Sequence, residues 1–173
     1  MFGVDVSRAL ELEHPAYVAR RRIRARSECA ALFDALDAVM DPELPVLTLW
    51  ELGVLKDIRV TATGIEVAIT PTYTACPAIE VMEQDIRSCL ERMGYVDIRV
   101  IREVKPPWST DWLSAEARRT LLAYGVAPPE ACICPQCFSD QVQCLSEFGS
   151  TSCKAQYRCR SCGEPFDYFK PLR

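Results

Sequence analysis

Histidine is almost absent from this 173-residue sequence, where His14 is the single one. Most acid–base and nucleophile-activating constellations are built on an imidazole, so a Cys–His or Ser–His enzyme has nothing to stand on, nor does a two-histidine-one-carboxylate iron site. Long apolar runs are missing too. None approaches the roughly 18–20 residues that a membrane span needs, so no membrane partner is expected. The N-terminus shows neither the apolar stretch nor the small-residue cleavage site of a secretory signal, which makes the cytoplasm the expected compartment. Positive charge is scarce in the middle, where residues 28–130 carry nine Lys or Arg against seventeen Asp or Glu. A body so acidic repels phosphate backbones, and nucleic acid is not an expected partner.

Cysteine, by contrast, is plentiful and unevenly placed: seven of the ten lie from Cys132 onward. Four of them form two tight pairs, Cys134-Pro-Gln-Cys137 and Cys159-Arg-Ser-Cys162, separated by 21 residues. Each pair lets two thiolates of a short turn converge on one ion, and the spacing suits a hairpin that brings the pairs together. That pattern predicts a tetrahedral four-thiolate site for structural zinc at Cys134, Cys137, Cys159 and Cys162. The same donors serve a single iron in rubredoxin fashion, so an electron-transfer protein is a competing reading. With all four positions filled by protein, no place is left for a substrate. The ion would supply folding free energy that a segment of about 40 residues cannot draw from its own core.

The rest of the chain reads as alternating helices and strands. Residues 1–27 form an arginine-rich leader, with Arg20, Arg21, Arg22, Arg24 and Arg26 clustered. It reads first as a solvated segment, with contact to an acidic partner or to the acidic body as the alternative. A helix is predicted from an N-cap at Ser27, burying Leu32, Phe33, Leu36 and Val39, and ending before Asp41-Pro42-Glu43-Leu44-Pro45. A hairpin follows, with Ile58 and Val60 inward on its first strand and Ile65, Val67 and Ile69 on its second, joined at Thr63-Gly64. Pro77 opens the clearest helix, whose stripe is Ile79, Met82, Ile86, Leu90 and Met93, closed at Gly94. Val96, Ile98 and Val100 alternate as a third strand, and a shorter helix spans Trp112 to Tyr124. The fold class is α+β: a small two-layer α/β sandwich in the order α-β-β-α-β-α, followed by a small zinc-ribbon module. The domain division is a leader at 1–27, the α/β domain at 28–126, a linker at 127–130 and the ribbon at 131–173.

Cys76 is the second residue able to carry chemistry. It follows a strand and a Thr-rich turn and stands just ahead of a helix, where N–H groups and the positive end of the helix dipole favour thiolate over thiol. A thiolate there is a nucleophile or a soft ligand for iron or copper(I). A small buried residue that packs the turn fits the same position. Cys89 lies thirteen positions later, about 20 Å along the helix, and cannot share a metal with Cys76 within one subunit. Cys89 and Cys29 read as packing residues. Cys76 therefore offers one ligand, and a cluster held there borrows others from a second copy in a homodimer, a partner protein or a small thiol. That describes a transient carrier better than a permanent redox centre with four protein thiolates. Asp41 and Glu43 could add carboxylates, although acids at a turn beside prolines are commonly just solvated.

Three stretches carry a family likeness. Asp41-Pro42-Glu43-Leu44-Pro45-Val46-Leu47-Thr48, Glu51-Leu52-Gly53-Val54 and Thr70-Pro71-Thr72-Tyr73-Thr74-Ala75-Cys76-Pro77-Ala78 resemble the metal–sulfur cluster biosynthesis domain of SufT-like and cytosolic iron–sulfur targeting proteins. The tail, from Ser146-Glu147-Phe148-Gly149-Ser150-Thr151-Ser152-Cys153-Lys154-Ala155 through Glu164-Pro165-Phe166-Asp167-Tyr168-Phe169-Lys170, resembles the PaaD family of bacterial phenylacetate degradation. The resemblance implies a non-catalytic accessory factor of the multicomponent oxygenase that epoxidises the ring of phenylacetyl-CoA. Its implied role is building iron–sulfur clusters and delivering them to a client, the system's flavin/iron–sulfur reductase. Cys76 would be the reactive cysteine, holding a transient cluster or iron, and Asp41 and Glu43 would match an acidic signature. Pro171 departs from the family resemblance, in which close relatives usually carry a cysteine right after the Phe-Lys pair. Cys132, Cys144 and Cys153 are possible substitute ligands. A structural component bound permanently within the oxygenase is the reading from another class.

Overall fold

Pro15–Arg26 form helix α1, with His14 as N-cap accepting a hydrogen bond from the Ala16 N–H at 3.2 Å. The computed structural model describes residues 10–73 and 76–172. This helix corrects the reading of the leader as solvated: α1 has no buried residue, yet it is docked through its arginines. The part-buried Arg20 guanidinium donates to the carbonyls of Trp112 and Leu55, each at 3.0 Å, and of Trp50 at 3.3 Å. It also lies over the Trp50 ring, 4.2 Å from its centroid. Arg24 pairs with Asp34 and Asp37, so the cluster contacts the acidic body of its own chain. Residues 1–9 lie outside the described residues.

Helix α2 (Ala30–Leu36) starts two residues later than the Ser27 cap predicts, with Cys29 in the N-cap position. The Ser27 hydroxyl still accepts from the Cys29 N–H, and Leu32, Phe33, Leu36 and, beyond the helix end, Val39 are buried as expected. A short helix α3 (Leu49–Leu52) goes beyond what the sequence pattern predicts. Thr48 caps it reciprocally: its hydroxyl accepts from the Glu51 N–H while the Glu51 carboxylate accepts from the Thr48 N–H. Strands β1 (Leu55–Val60) and β2 (Ile65–Ile69) pair antiparallel. After helix α4 (Ile79–Arg92) the chain returns as β3 (Ile98–Arg102), parallel to β2, giving the order β1-β2-β3. Parallel pairing demands a crossover, and α4 supplies it. Gly64 permits the close start of that pairing, since a Cβ there would sit 2.0 Å from the Asp97 carbonyl oxygen.

Three of the apolar residues that the sequence pattern assigns to strand faces or to the helix stripe do not face inward. Val60 and Val96 are 69% and 97% exposed, because each stands at or beyond the end of a strand where nothing covers it. Met93 lies past the last turn of α4 and is also exposed, while Cys89 takes its place in the stripe with Ile79, Met82, Ile86 and Leu90. The Cys89 thiol donates to the Ala35 carbonyl at 3.4 Å, which makes it a packing residue.

A 3-10 turn at Thr110–Trp112 ends the first compact unit, His14–Leu113. The second unit comprises Ser114–Arg173 with Met1–Glu13. Helix α5 (Ala115–Tyr124), capped by the Ser114 hydroxyl and ended at Gly125, belongs to it, so the compact units divide ahead of this helix rather than at 127–130. Leu122, Ala131 and Ile133 form a small cluster with Leu10 packed against it. The buried Arg118 donates to the Leu12 carbonyl at 2.9 Å and faces Glu130. Strands β4 (Val126–Ala127), β5 (Val142–Ser146), β6 (Lys154–Cys159) and β7 (Pro165–Phe169) form a sheet in the order β4-β7-β6-β5. Among the described residues, no helix is long and apolar enough to cross a membrane.

Arg20 closes three carbonyls at once with a planar fork that lysine cannot reproduce. Arg20→Ala is therefore expected to destabilise the His14–Leu113 unit by about 2–4 kcal/mol, and Arg20→Lys to recover less than half of that. Urea denaturation followed by tryptophan fluorescence measures both, and an unchanged midpoint in Arg20→Ala would show that α1 is not held by this contact.

Candidate metal centre and the cysteine ahead of the long helix

The four predicted cysteines come together. The sulfurs of Cys134, Cys137, Cys159 and Cys162 all lie within 4.8 Å of one another, with Cys134 to Cys162 at 3.6 Å and Cys137 to Cys159 at 3.5 Å. Four thiolates about 2.3 Å from a tetrahedral ion stand about 3.8 Å apart, so the donor set fits zinc or iron in both number and spacing.

Two loops of the same design create this convergence. In the first, the Cys134 N–H donates to the Ser139 carbonyl and the Phe138 N–H donates back to the Cys134 carbonyl, each at 2.9 Å. In the second, Cys159 N–H donates to Glu164 at 2.9 Å and Gly163 N–H to Cys159 at 3.0 Å. Each loop turns on a left-handed residue directly after its second cysteine: Phe138 at φ 58° and Gly163 at φ 83°. Glycine occupies that region freely, while for phenylalanine it costs about 1–2 kcal/mol. The N–H groups of Cys162 and Ser161 point at the Cys159 sulfur and pull its thiol down to about 6. Cys134 and Cys159 are buried and Cys137 and Cys162 exposed, so one side of the centre is sealed by Ala127 and Phe166 and the other meets solvent.

Cys132, Cys144 and Cys153 all stand outside this group of four. Cys153 is buried, with its sulfur 3.0 Å from the Thr151 hydroxyl. The ribbon's aromatic residues divide: Phe166 and Phe169 are buried, Tyr157 and Tyr168 pack at the margin, and Phe138 and Phe148 are 66% and 68% exposed.

In the first unit Cys76 lies three residues ahead of the first helical residue of α4. Its N–H donates to the Tyr73 carbonyl at 3.2 Å and its carbonyl accepts from Ile79 at 3.4 Å. The residue is 7% exposed. Its neighbours Thr74 and Ala75 fall outside the described residues. Asp41 is buried at 3% exposure, and one of its carboxylate oxygens accepts from the N–H groups of Glu43 and Leu44 at 2.9 and 2.7 Å. That bond holds the turn through Pro42 and Pro45 and gives Asp41 a structural task that the sequence does not disclose. Asp41 also lines a groove of about 370 Å³ with Asp85, Ser88 and Arg92, and Cys76 is not among the lining residues described. Glu43 is half-buried beside it.

Comparison with known proteins divides the chain in the same sense. Residues 29–100 match the family described as iron–sulfur cluster assembly protein, and residues 124–170 match the PaaD zinc beta ribbon domain. A curated protein of Escherichia coli (strain K12), provisionally named as the D component of 1,2-phenylacetyl-CoA epoxidase, one of its subunits, is 42% identical over 145 residues, covering 78% of this chain and 88% of that one. A crystal structure of a domain of unknown function, DUF59, from Bacillus anthracis aligns with a TM-score of 0.50 at 24% identity, over 60% of this chain and 95% of that one. That likeness shows the α+β fold of the first unit.

Removal of the ion should leave four crowded sulfurs with no counter-charge and unravel β5 to β7. Chelation, or Cys134→Ser, is expected to abolish hydrogen-exchange protection across residues 134–169 and to leave α4 protected. Protection that survives complete metal removal would contradict a structural role for the centre.

Proposed function

Because the chain belongs to the PaaD family, that of the D components of 1,2-phenylacetyl-CoA epoxidase, we propose that it is a non-catalytic maturation factor for an oxygenase system of phenylacetate catabolism. It builds or delivers iron–sulfur clusters in the cytoplasm, and its client is the iron–sulfur reductase of that epoxidase. The observation behind this reading is the union, in one chain, of a cluster-assembly domain and a closed four-cysteine ribbon.

The two parts have separate tasks. Cys134, Cys137, Cys159 and Cys162 hold zinc, which supplies no chemistry beyond fixing the ribbon, since protein donors fill every position. The ribbon presents the client with a rigid surface on which Phe138 projects from its left-handed turn. Cys76 is the sulfur that receives iron or a cluster as cargo. A sulfur with this little exposure is out of reach of a hydrated ion, so loading requires the turn before α4 to open. Closure then shields the cargo until a client thiolate displaces it. Asp41 and Glu43 act on this step by holding their own turn in place.

Anaerobic reconstitution with iron and sulfide tests the role of the thiol. Cys76→Ser is expected to retain zinc at the parent's level and to lose at least about tenfold in the rate of client activation. Equal activation by both proteins would rule the thiolate role out.

The name of the Escherichia coli relative, which makes it one of the subunits of an epoxidase, supports a second reading in which the chain is a permanent structural component. Purification of the active oxygenase separates the two. A maturation factor is absent or substoichiometric in it, whereas a structural component stays at a fixed ratio. Elemental analysis addresses electron transfer in the same way: a colourless zinc protein is expected, and iron with visible absorption in the ribbon would make the rubredoxin reading correct.

A further inference from the structure

The clustered arginines of α1 separate once the helix is formed. Arg20 and Arg24 turn to the body of the first unit, where Arg20 meets three carbonyls and Arg24 meets Asp34 and Asp37. Arg22 and Arg26 lie on another face. Ala19, Arg22, Ile23 and Arg26 recur at the i, i+3, i+4, i+7 spacing of a single helical stripe, and all four are exposed, Ile23 at 62%. Among the described residues, neither Arg22 nor Arg26 has an ion-pair partner. Their charges stand four residues apart, a spacing at which like charges disfavour a helix. The helix dipole favours a cation in the last turn, which accounts for Arg26 but not for Arg22. The repulsion between them is thus unrelieved within the chain.

A cavity opens beside this stripe. It measures about 140 Å³ and lies between Ile23, Phe33, Trp50 and Trp112, with Arg24 and Lys56 also lining it. Its walls are chiefly ring and aliphatic carbon. A cavity of about 150 Å³ holds benzene, so this one takes a single leucine or phenylalanine side chain. Ile23 belongs both to the arginine stripe and to the cavity wall, which joins the two into one surface. Arg20 fastens α1 to the carbonyls of Trp50 and Trp112, so the surface is formed before anything binds.

We propose that this surface docks an acidic segment of a partner protein, with one large apolar side chain seated in the cavity and carboxylates set on Arg22 and Arg26. A nucleic acid or an anionic membrane is a poorer match. Phosphates make no use of Ile23 or the cavity, and the basic stripe is only about 10 Å long. Beyond it, the seventeen acids against nine bases of residues 28–130 repel an extended polyanion. The partner is the client of the proposed function, the iron–sulfur reductase, and to that extent the inference rests on that reading.

Binding of the zinc-loaded full-length protein to purified reductase, measured by biolayer interferometry, tests the surface. The double variant Arg22→Glu/Arg26→Glu is expected to weaken binding by more than about tenfold, and Ile23→Ser by about fivefold. Arg21 is exposed on the side of α1 opposite Ile23, so Arg21→Glu should stay within about threefold of the parent. The unaltered protein supplies a measurement free of folding effects: raising the salt about tenfold should weaken its binding by more than about tenfold. The surface is overturned if the parent does not bind, if the double variant binds equally well, or if a short DNA duplex or phosphatidylserine vesicles bind more tightly through the same arginines. Cys76→Ser separates docking from delivery, since it should bind the reductase like the parent. Arginine-dependent binding together with full client activation by Cys76→Ser would end the delivery role and keep the surface. Arginine-independent binding together with lost activation would do the reverse.

Discussion

Four sulfurs packed within 4.8 Å cannot all carry charge unless a cation stands among them. At that separation like charges repel by several kcal/mol per pair even at an effective dielectric near 20, and burial of Cys134 and Cys159 makes the repulsion worse. The ribbon's own core is too thin to impose such crowding, with Ala127 and Phe166 sealing it and Val142, Tyr157 and Tyr168 only partly covered. The geometry of both loops, the left-handed residue in each and the sheet between them are thus consequences of an ion. Everything else in the ribbon inherits that dependence, including the left-handed turn that leaves Phe138 exposed.

The first unit solves its stability problem by different means. It has an apolar core of ordinary kind, in which Phe33, Leu36, Leu47, Ile69, Ile86 and Leu90 are all but inaccessible. Its unusual element is a charged fastener. Arg20 satisfies carbonyls from three separate segments, and burial pulls its guanidinium down to about 10, still cationic at neutral pH. A helix with no buried residue of its own is thereby held by hydrogen bonds and by the faces of Trp50 and Trp112. Such a contact is directional, whereas an apolar stripe would have tolerated sliding.

This difference explains what could and could not be read from the residues in order. The metal centre was legible because C-x2-C spacing encodes its geometry locally, and α4 because five apolar residues repeat at helical period. The role of Arg20 was not, since a run of arginines has the same composition whether it is solvated or threaded among tryptophans. Val60 and Val96 alternate correctly with their neighbours, yet alternation says nothing of where a sheet stops, and both stand where it does. Asp41 was visible as an acid beside prolines, but that its carboxylate caps two backbone N–H groups depends on a turn no pattern specifies. The left-handed Phe138 was hidden for the opposite reason: glycine announces such a turn at 163, and phenylalanine at 138 conceals the same one.

The two sulfur environments also argue for different lifetimes of whatever they bind. A tetrahedral set of protein thiolates leaves no vacancy for an attacking ligand, so its ion departs only when the fold opens. A single thiol at Cys76 cannot hold an ion by chelation, so in the proposed role its hold would have to come from shielding, in keeping with its small exposure. In the proposed cargo role, retention at Cys76 would be set by how often the turn before α4 opens rather than by bond strength, and the same opening would admit a client's thiolate. Low exposure and ready transfer are then compatible, provided that the closed state outlasts the journey to the client and the open state is reached on contact with it.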